Sequence, residues 1–137
     1  MTGITQCMTT SFKVDCLAAA TNAKIALYSI ANGASLDATT TVYTTTGEVT
    51  GTGYTAGGLA LVVGQAPTSS GTTAYMNYNN AAWAGASFSA DGALIYNPTT
   101  GHSIAVLNFG STKTVSAGTF TVQFPAAAPG TAIVQIA

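Results

Sequence analysis

Short strand-like runs separated by Gly, Pro and Asn recur along this chain from residue 24 onward. The clearest run is residues 119–124 (TFTVQF), where Phe120, Val122 and Phe124 alternate with polar side chains. Period-two alternation is typical of a strand with one buried face. Many short strands with frequent turn residues predict a fold that is mainly β.

The remaining runs complete the predicted β architecture. Asn97, Pro98 and Gly101 favour a turn that joins two of them as an antiparallel hairpin. A second turn is predicted at residues 116–118, and loops at residues 64–74 and 125–131. We therefore predict a β-sandwich or jelly roll of about eight short antiparallel strands. The further predicted strands are residues 24–30, 42–46, 59–63, 72–78, 83–88, 93–97, 103–109 and 132–136.

One helix is predicted before the strands, over residues 9–20. Thr9, Thr10 or Ser11 can supply its N-cap, and Asn22 is a suitable stop. Three consecutive alanines near its end are strong helix formers. The fold prediction is thus a single domain, residues 1–137, with one N-terminal helix.

Charge is scarce in this chain: three basic and four acidic residues make up 5% of it, and there is no Arg. An average soluble domain is roughly 25% charged. Without a basic stripe or a polybasic patch, we expect no nucleic-acid partner and no membrane partner. A surface of hydroxyls and methyls is suited to lying against another protein, which favours a structural role.

The N-terminal part of the chain shows no targeting sequence and no metal-binding motif. It has no basic region followed by an apolar run, so we expect no signal peptide. Cys7 and Cys16 are nine apart and form no CxxC motif. We interpret them as two small apolar residues, with a structural disulfide as the alternative.

The residues able to do chemistry are few and scattered. His102 is the single histidine and falls in the predicted hairpin turn. The carboxylates are Asp15 on the helix, Asp37 and Glu48 in loops, and Asp91 beside a glycine. Their spacing favours neither a glycosidase pair nor a metal cluster. We predict no catalytic residue, no metal and no cofactor.

Two other patterns have both a functional and a structural interpretation. Residues 51–57 are glycine-rich but lack the Lys-Ser/Thr of a phosphate-binding loop, which favours a glycine-rich β loop. Trp83 with Tyr54, Tyr75 and Tyr78 could form a stacking platform for sugars. The interpretation we favour places these aromatics in the core or at a subunit interface.

The chain contains a set of recognisable stretches in a fixed order: TSFKV (10–14), KIALY (24–28), ATTTV (38–42), TGEVTGTGYTAGG (46–58), the lone Trp83, ALIYN (93–97), NFG (108–110) and VSAGTF (115–120). Together they resemble a family of small structural proteins of tailed bacteriophages. The resemblance covers most of the chain, from about Ser11 to Phe124, and points to head decoration or cement proteins with jelly-roll folds.

This resemblance implies a non-enzymatic virion protein. It would be made in the host cytoplasm, lie on the outer surface of the capsid, bridge major capsid subunits and self-associate as a dimer or trimer. The alternatives are a tail- or fibre-associated receptor- or glycan-binding module and a virion hydrolase. The candidate core or interface residues are Tyr54, Gly57, Gly58, Trp83, Ile95, Tyr96, Phe109, Phe120, Val122 and Phe124.

Overall fold

The computed structural model describes residues 3–137 and is mainly β, as the sequence predicts. Two antiparallel sheets have the strand orders β2-β1-β5-β6 and β3-β4-β7. None of the helices in the described chain is both long and apolar enough to cross a bilayer. The elements are α1 (Thr10–Leu17), β1 (Lys24–Tyr28), β2 (Leu59–Ala60), β3 (Val63–Ser70), β4 (Thr73–Tyr78), β5 (Ala81–Tyr96), β6 (Ser103–Val122) and β7 (Val134–Ile136), with short 3-10 helices at Ala18–Ala20 and Ile30–Asn32.

The main core is a single cluster that joins both sheets and the helix. Ile25 of β1 and Ile95 of β5 lie in it with Met76 of β4, and all three are fully buried. Leu17 of α1 belongs to the same cluster. Alternate residues of β4 enter this cluster while their neighbours are only half-buried, which is the pattern of a sandwich strand.

The first sheet is apolar on both faces because a loop covers its second face. Ala26, Tyr28, Leu94 and Tyr96 form a smaller buried cluster. Side chains from residues 34–43 pack against it. The central strands of this sheet therefore have cover on both sides within one chain, which explains why ALIYN is a nearly continuous apolar run.

The helix is shorter than predicted, because a 3-10 helix takes over at Ala18. Thr9 is its N-cap residue but makes no side-chain capping hydrogen bond. Lys13 and Leu17 form the buried row, and Lys13 Nζ donates to the Thr72 carbonyl at 2.8 Å. This contact holds the helix against the turn between β3 and β4.

The predicted hairpin between residues 93–97 and 103–109 is confirmed, with Ile95 opposite Ala105. Its strands are much longer than predicted, since β5 and β6 each absorb two predicted strands. The predicted turn at residues 116–118 is wrong. There β6 continues through a bulge, with Ala117 at φ 48° and its N–H donating to Ser87 Oγ at 2.9 Å.

Two further local predictions are wrong. Most of the predicted loop at residues 64–74 is β3 and the start of β4. β3 is an edge strand with register shifts, and an edge position tolerates Pro67. Its strand conformation therefore depends on pairing with β4, because its own composition is typical of a loop. Residues 42–46 form no strand, and only Val42 makes an isolated bridge, to His102.

Candidate functional site, a cleft along a free strand edge

β6 is the edge strand of the four-stranded sheet, and most of its outer edge is open. Only its start is covered, where Ser103 N–H donates to the Thr41 carbonyl at 2.9 Å. Over residues 104–122, no backbone group pairs on that side with another strand of the described chain. Roughly every second residue of an antiparallel edge strand points its N–H and C=O outward, so this edge can accept another strand.

A cleft of about 640 Å³ runs along this edge. Val106 and Leu107 are consecutive and so point to opposite faces of the strand, yet both line the cleft. The same holds for Thr121 and Val122. A cavity bordered by both faces of one strand must follow the edge of that strand. We call this space the β6 cleft.

The walls of the β6 cleft are mainly apolar. The lining includes Phe109, Phe120 and Val122 of β6, and Ile133 just before β7. Lys113 is the one charged residue among its lining side chains. The cleft thus combines apolar side chains with unpaired backbone groups and offers almost no charge for recognition.

A wide bulge bends β6 beside the cleft. Residues 109–112 together oppose the single residue Asp91 of β5. Gly110 has φ 80°, and its N–H donates to Asn108 Oδ1 at 2.8 Å. Thr112 Oγ1 donates to Asp91, whose other carboxylate oxygen accepts the Ile30 N–H at 2.6 Å. These hydrogen bonds, the Thr112 one above all, lower the pKa of the Asp91 carboxyl.

Glu48 is the centre of a polar network between the loops and β1. Its Oε1 accepts the Tyr43 hydroxyl at 2.5 Å, and its Oε2 accepts the Tyr54 hydroxyl at 2.5 Å and the Gly57 N–H at 2.8 Å. The residue is only 7% exposed. Tyr54 Oη also accepts the Leu27 N–H at 3.0 Å, so the network ties the loop to β1.

The tyrosines around Glu48 are held in their neutral form. Burial, reinforced by the Glu48 carboxylate, raises the pKa of Tyr28, Tyr43, Tyr54 and Tyr96 above the ordinary tyrosine value. Neutral phenols keep their protons and donate hydrogen bonds to the carboxylate, so the arrangement is that of a structural clamp. It leaves both carboxylate oxygens occupied.

The glycine-rich loop, residues 51–57, packs directly on β5, as expected for a glycine-rich β loop. A Cβ at Gly51 would lie 2.6 Å from the Ser87 carbonyl oxygen, and one at Gly53 would lie 2.9 Å from Ala86 Cα. Ser87 N–H donates to the Thr52 carbonyl at 2.9 Å. These glycines are needed for close backbone approach.

An aromatic chain links the Glu48 network to the β6 cleft. The Tyr54 ring lies 6.2 Å from Trp83, which lies 6.1 Å from Phe120, which in turn lies 6.2 Å from Phe109. Trp83 is buried, and its Nε1 has no hydrogen-bond partner in the described chain. Trp83 lies in the core, as the favoured interpretation of the sequence has it, and is not exposed for stacking on a sugar.

The other candidate residues lie in the same core or at its margins. Ile95 is fully buried, and Phe124 packs against Tyr78 with ring centroids 5.6 Å apart. Tyr96 stacks on Tyr43 at 4.7 Å and donates to the Gly57 carbonyl at 2.7 Å. At Gly58 a Cβ would collide with the backbone of β1.

The residues able to do chemistry are not brought together. His102 is exposed at the start of β6, and Asp15 is exposed on α1. Asp37 is held by Thr39, whose hydroxyl and N–H lower the pKa of the Asp37 carboxyl. No group of three His, Cys, Asp or Glu residues within residues 3–137 is placed to share a metal ion. Cys7 and Cys16 are both free and exposed.

Two features of the site are not predicted by the sequence patterns. The sequence predicts Glu48 only as a loop carboxylate, because no local pattern identifies it as a buried hydrogen-bond acceptor. The free edge of β6 depends on strand order, which no local pattern encodes.

Comparison of the chain with models of known protein families, with curated proteins and with solved structures finds no match in any of the three.

Proposed function

We propose that this chain is a non-enzymatic structural protein of a virion. It acts as a capsid cement or decoration protein that lies on the outer surface, bridges major capsid subunits and associates with its own copies. The observation that carries the proposal is the free edge of β6 with its apolar cleft, on a chain with only seven charged residues. The ordered resemblance over residues 11–124 supplies the virion context.

The proposed mechanism is the addition of contact area between neighbouring subunits. Apolar burial contributes roughly 25 cal/mol per Å² before the cost of ordering the partners. Backbone groups along an open edge add hydrogen bonds when a strand pairs with them. Exposed apolar side chains such as Ile30 extend the surface available for such contacts.

The alternative, a tail- or fibre-associated receptor- or glycan-binding module, has less support. It requires Trp83 and tyrosines exposed together beside a carboxylate. Trp83 is 3% exposed, and Tyr54 donates its hydroxyl to the buried Glu48. Trp83 and Tyr54 are therefore not available together for stacking, so we favour the cement function.

The proposal is tested by making particles that lack this chain. We expect them to assemble and expand but to release DNA at a lower temperature than complete particles, because subunit contacts are missing. A DNA-binding dye reports the release temperature. Adding the purified chain back to the deficient particles is the control, and it should restore the original temperature. Equal release temperatures with and without the chain contradict the cement function.

A further inference from the structure

The segment before α1, residues 3–9, forms an exposed arm. Every residue in it is exposed, and Thr9 at its end has extended backbone angles. No backbone hydrogen bond within the described chain joins residues 3–8 to a strand. The arm therefore has unpaired donors and acceptors of its own.

The arm also has an apolar face. In an extended chain Ile4 and Met8 lie on the same side, since side chains alternate with period two. Ile4 is 75% exposed and Met8 48% exposed, and Phe12 follows at the start of α1 with 55% exposed. Three large apolar side chains spaced four residues apart thus lack cover in the single chain.

The arm and the β6 cleft complement each other. The cleft offers an open strand edge and apolar walls, including Leu107, Phe120 and Ile133. The arm carries no charge, which suits a cleft lined by a single charged residue. Seven extended residues span roughly 23 Å, enough to pair with a strand segment of ordinary length.

The single chain exposes more surface than a compact monomer of its mass, and the excess is about the area of one interface. The chain exposes 7414 Å². A compact monomer of this mass is expected to expose roughly 6,600 Å². The excess of roughly 800 Å² is about what one partner contributes to a standard protein interface.

We propose that the arm of one copy occupies the β6 cleft of a second copy, as an added strand. In the single chain no arm residue lines the cleft, so the arm does not fill the cleft of its own molecule. Exchange of an identical segment between copies closes an oligomer at low cost. This inference deepens the proposed function: it rests on the proposed self-association and does not depend on the proposed capsid location.

Cross-linking of the purified protein tests whether the arm of a second copy occupies the cleft. In a Cys16→Ser background, Cys7 remains on the arm, and Thr121→Cys adds a thiol in the cleft. Copper-phenanthroline oxidation should then give covalent multimers on a non-reducing gel. The matched control, Thr45→Cys, places a thiol on an exposed loop position outside the cleft and should give far fewer.

Three results of this experiment overturn the proposal. Equal multimer yields for the two introduced thiols mean that contact is non-specific. Loss of thiols without multimers means that the arm folds into the cleft of its own chain. No reaction of either thiol pair means that the arm does not reach the cleft. The Cys16→Ser protein alone measures the background from pairing of Cys7 with itself.

Sedimentation provides a second test that does not depend on cross-linking. The double variant Ile4→Ser and Met8→Ser should weaken self-association by at least about tenfold, because it removes apolar area buried on exchange. Val62→Ser removes an equally exposed apolar side chain outside the cleft and should leave association unchanged. Unchanged association of the arm variant contradicts the proposal. Both tests use isolated protein, so a failure here leaves the capsid location to be judged from particles.

Discussion

Tyr54 donates its hydroxyl to Glu48 Oε2 at 2.5 Å and accepts the Leu27 N–H at 3.0 Å. A single phenol therefore connects the buried carboxylate of a loop to the backbone of a central strand. Gly57 donates to the same carboxylate oxygen at 2.8 Å. The loop that covers the first sheet is fixed to it by this network.

Removal of the carboxylate should loosen the whole loop. Glu48→Ala leaves the part-buried hydroxyls of Tyr43 and Tyr54 and the buried Gly57 N–H without their acceptor, and we expect a loss of about 3 kcal/mol in unfolding free energy. Glu48→Gln keeps the volume and one acceptor oxygen and should lose less. Asp37→Ala is the matched control, because that exposed carboxylate also accepts local hydrogen bonds. Denaturant unfolding measures all three, and an equal loss for Asp37→Ala contradicts the role of Glu48.

Alkaline pH should destabilise the protein through its tyrosines. Burial raises the pKa of Tyr78 to about 12, and burial next to Glu48 raises that of Tyr28, Tyr43 and Tyr54 as well. Below pH 10 the phenols are neutral in both the folded and the unfolded state. Above pH 10 the unfolded chain releases protons that the folded chain keeps, so stability falls as pH rises.

Absorbance at 295 nm, followed with circular dichroism, tests this pH dependence. We expect the affected phenols to ionise together with unfolding, well above pH 10. In denaturant, where burial is lost, they should titrate near pH 10. Ionisation of all tyrosines near pH 10 in protein that is still folded is the contrary outcome.

The alternation in residues 119–124 predicts a large difference between neighbouring substitutions. Phe120 lies among Trp83, Phe88 and Phe109, so Phe120→Ala should cost about 3–5 kcal/mol. Thr121→Ser, on the exposed face of the same strand, should cost much less. Thermal and denaturant unfolding give the comparison, and similar losses for both variants would mean that the burial pattern is wrong.

A pair of glycines separates close packing from backbone strain. Gly53 and Gly130 have nearly the same φ, 83° and 84°, but only Gly53 lies against β5. Both alanine variants have the strain of a positive φ, about 1 kcal/mol or more. Gly53→Ala should cost clearly more, because its Cβ would lie 2.9 Å from Ala86 Cα. Equal melting temperatures for the two variants would contradict close packing of the loop.

The sequence predicts those parts of the fold that depend on local pattern. The hairpin through Asn97 and Pro98 and the buried face of residues 119–124 follow from turn chemistry and from alternation. The long β6 does not, because the bulges at residues 109–112 and at Ala117 keep it continuous through segments that look like turns. The local pattern does not predict β3 either, because its pairing with β4 determines its conformation.

The candidate site could be predicted only in part. The sequence predicts Trp83, Phe109 and Phe120 as core or interface residues, and the structure places them in one aromatic chain. Their position beside a cleft depends on the strand order, which places β6 at the edge. The buried role of Glu48 depends on contacts with Tyr43 and Tyr54 that form only when the loop folds over the first sheet.

A salt wash of purified particles tests the central claim most directly. With seven charged residues and no Arg, the contacts of this protein with its partners should rest on apolar area and neutral hydrogen bonds. Salt screens exposed charges within roughly 10 Å at 0.1 M and 3 Å at 1 M, whereas apolar burial is not screened. Heads and tails are separated after washes from low to molar sodium chloride, and the bound protein is quantified on a gel. We expect it to remain on the heads at every salt concentration. Release at moderate salt, or recovery on tails alone, contradicts the account.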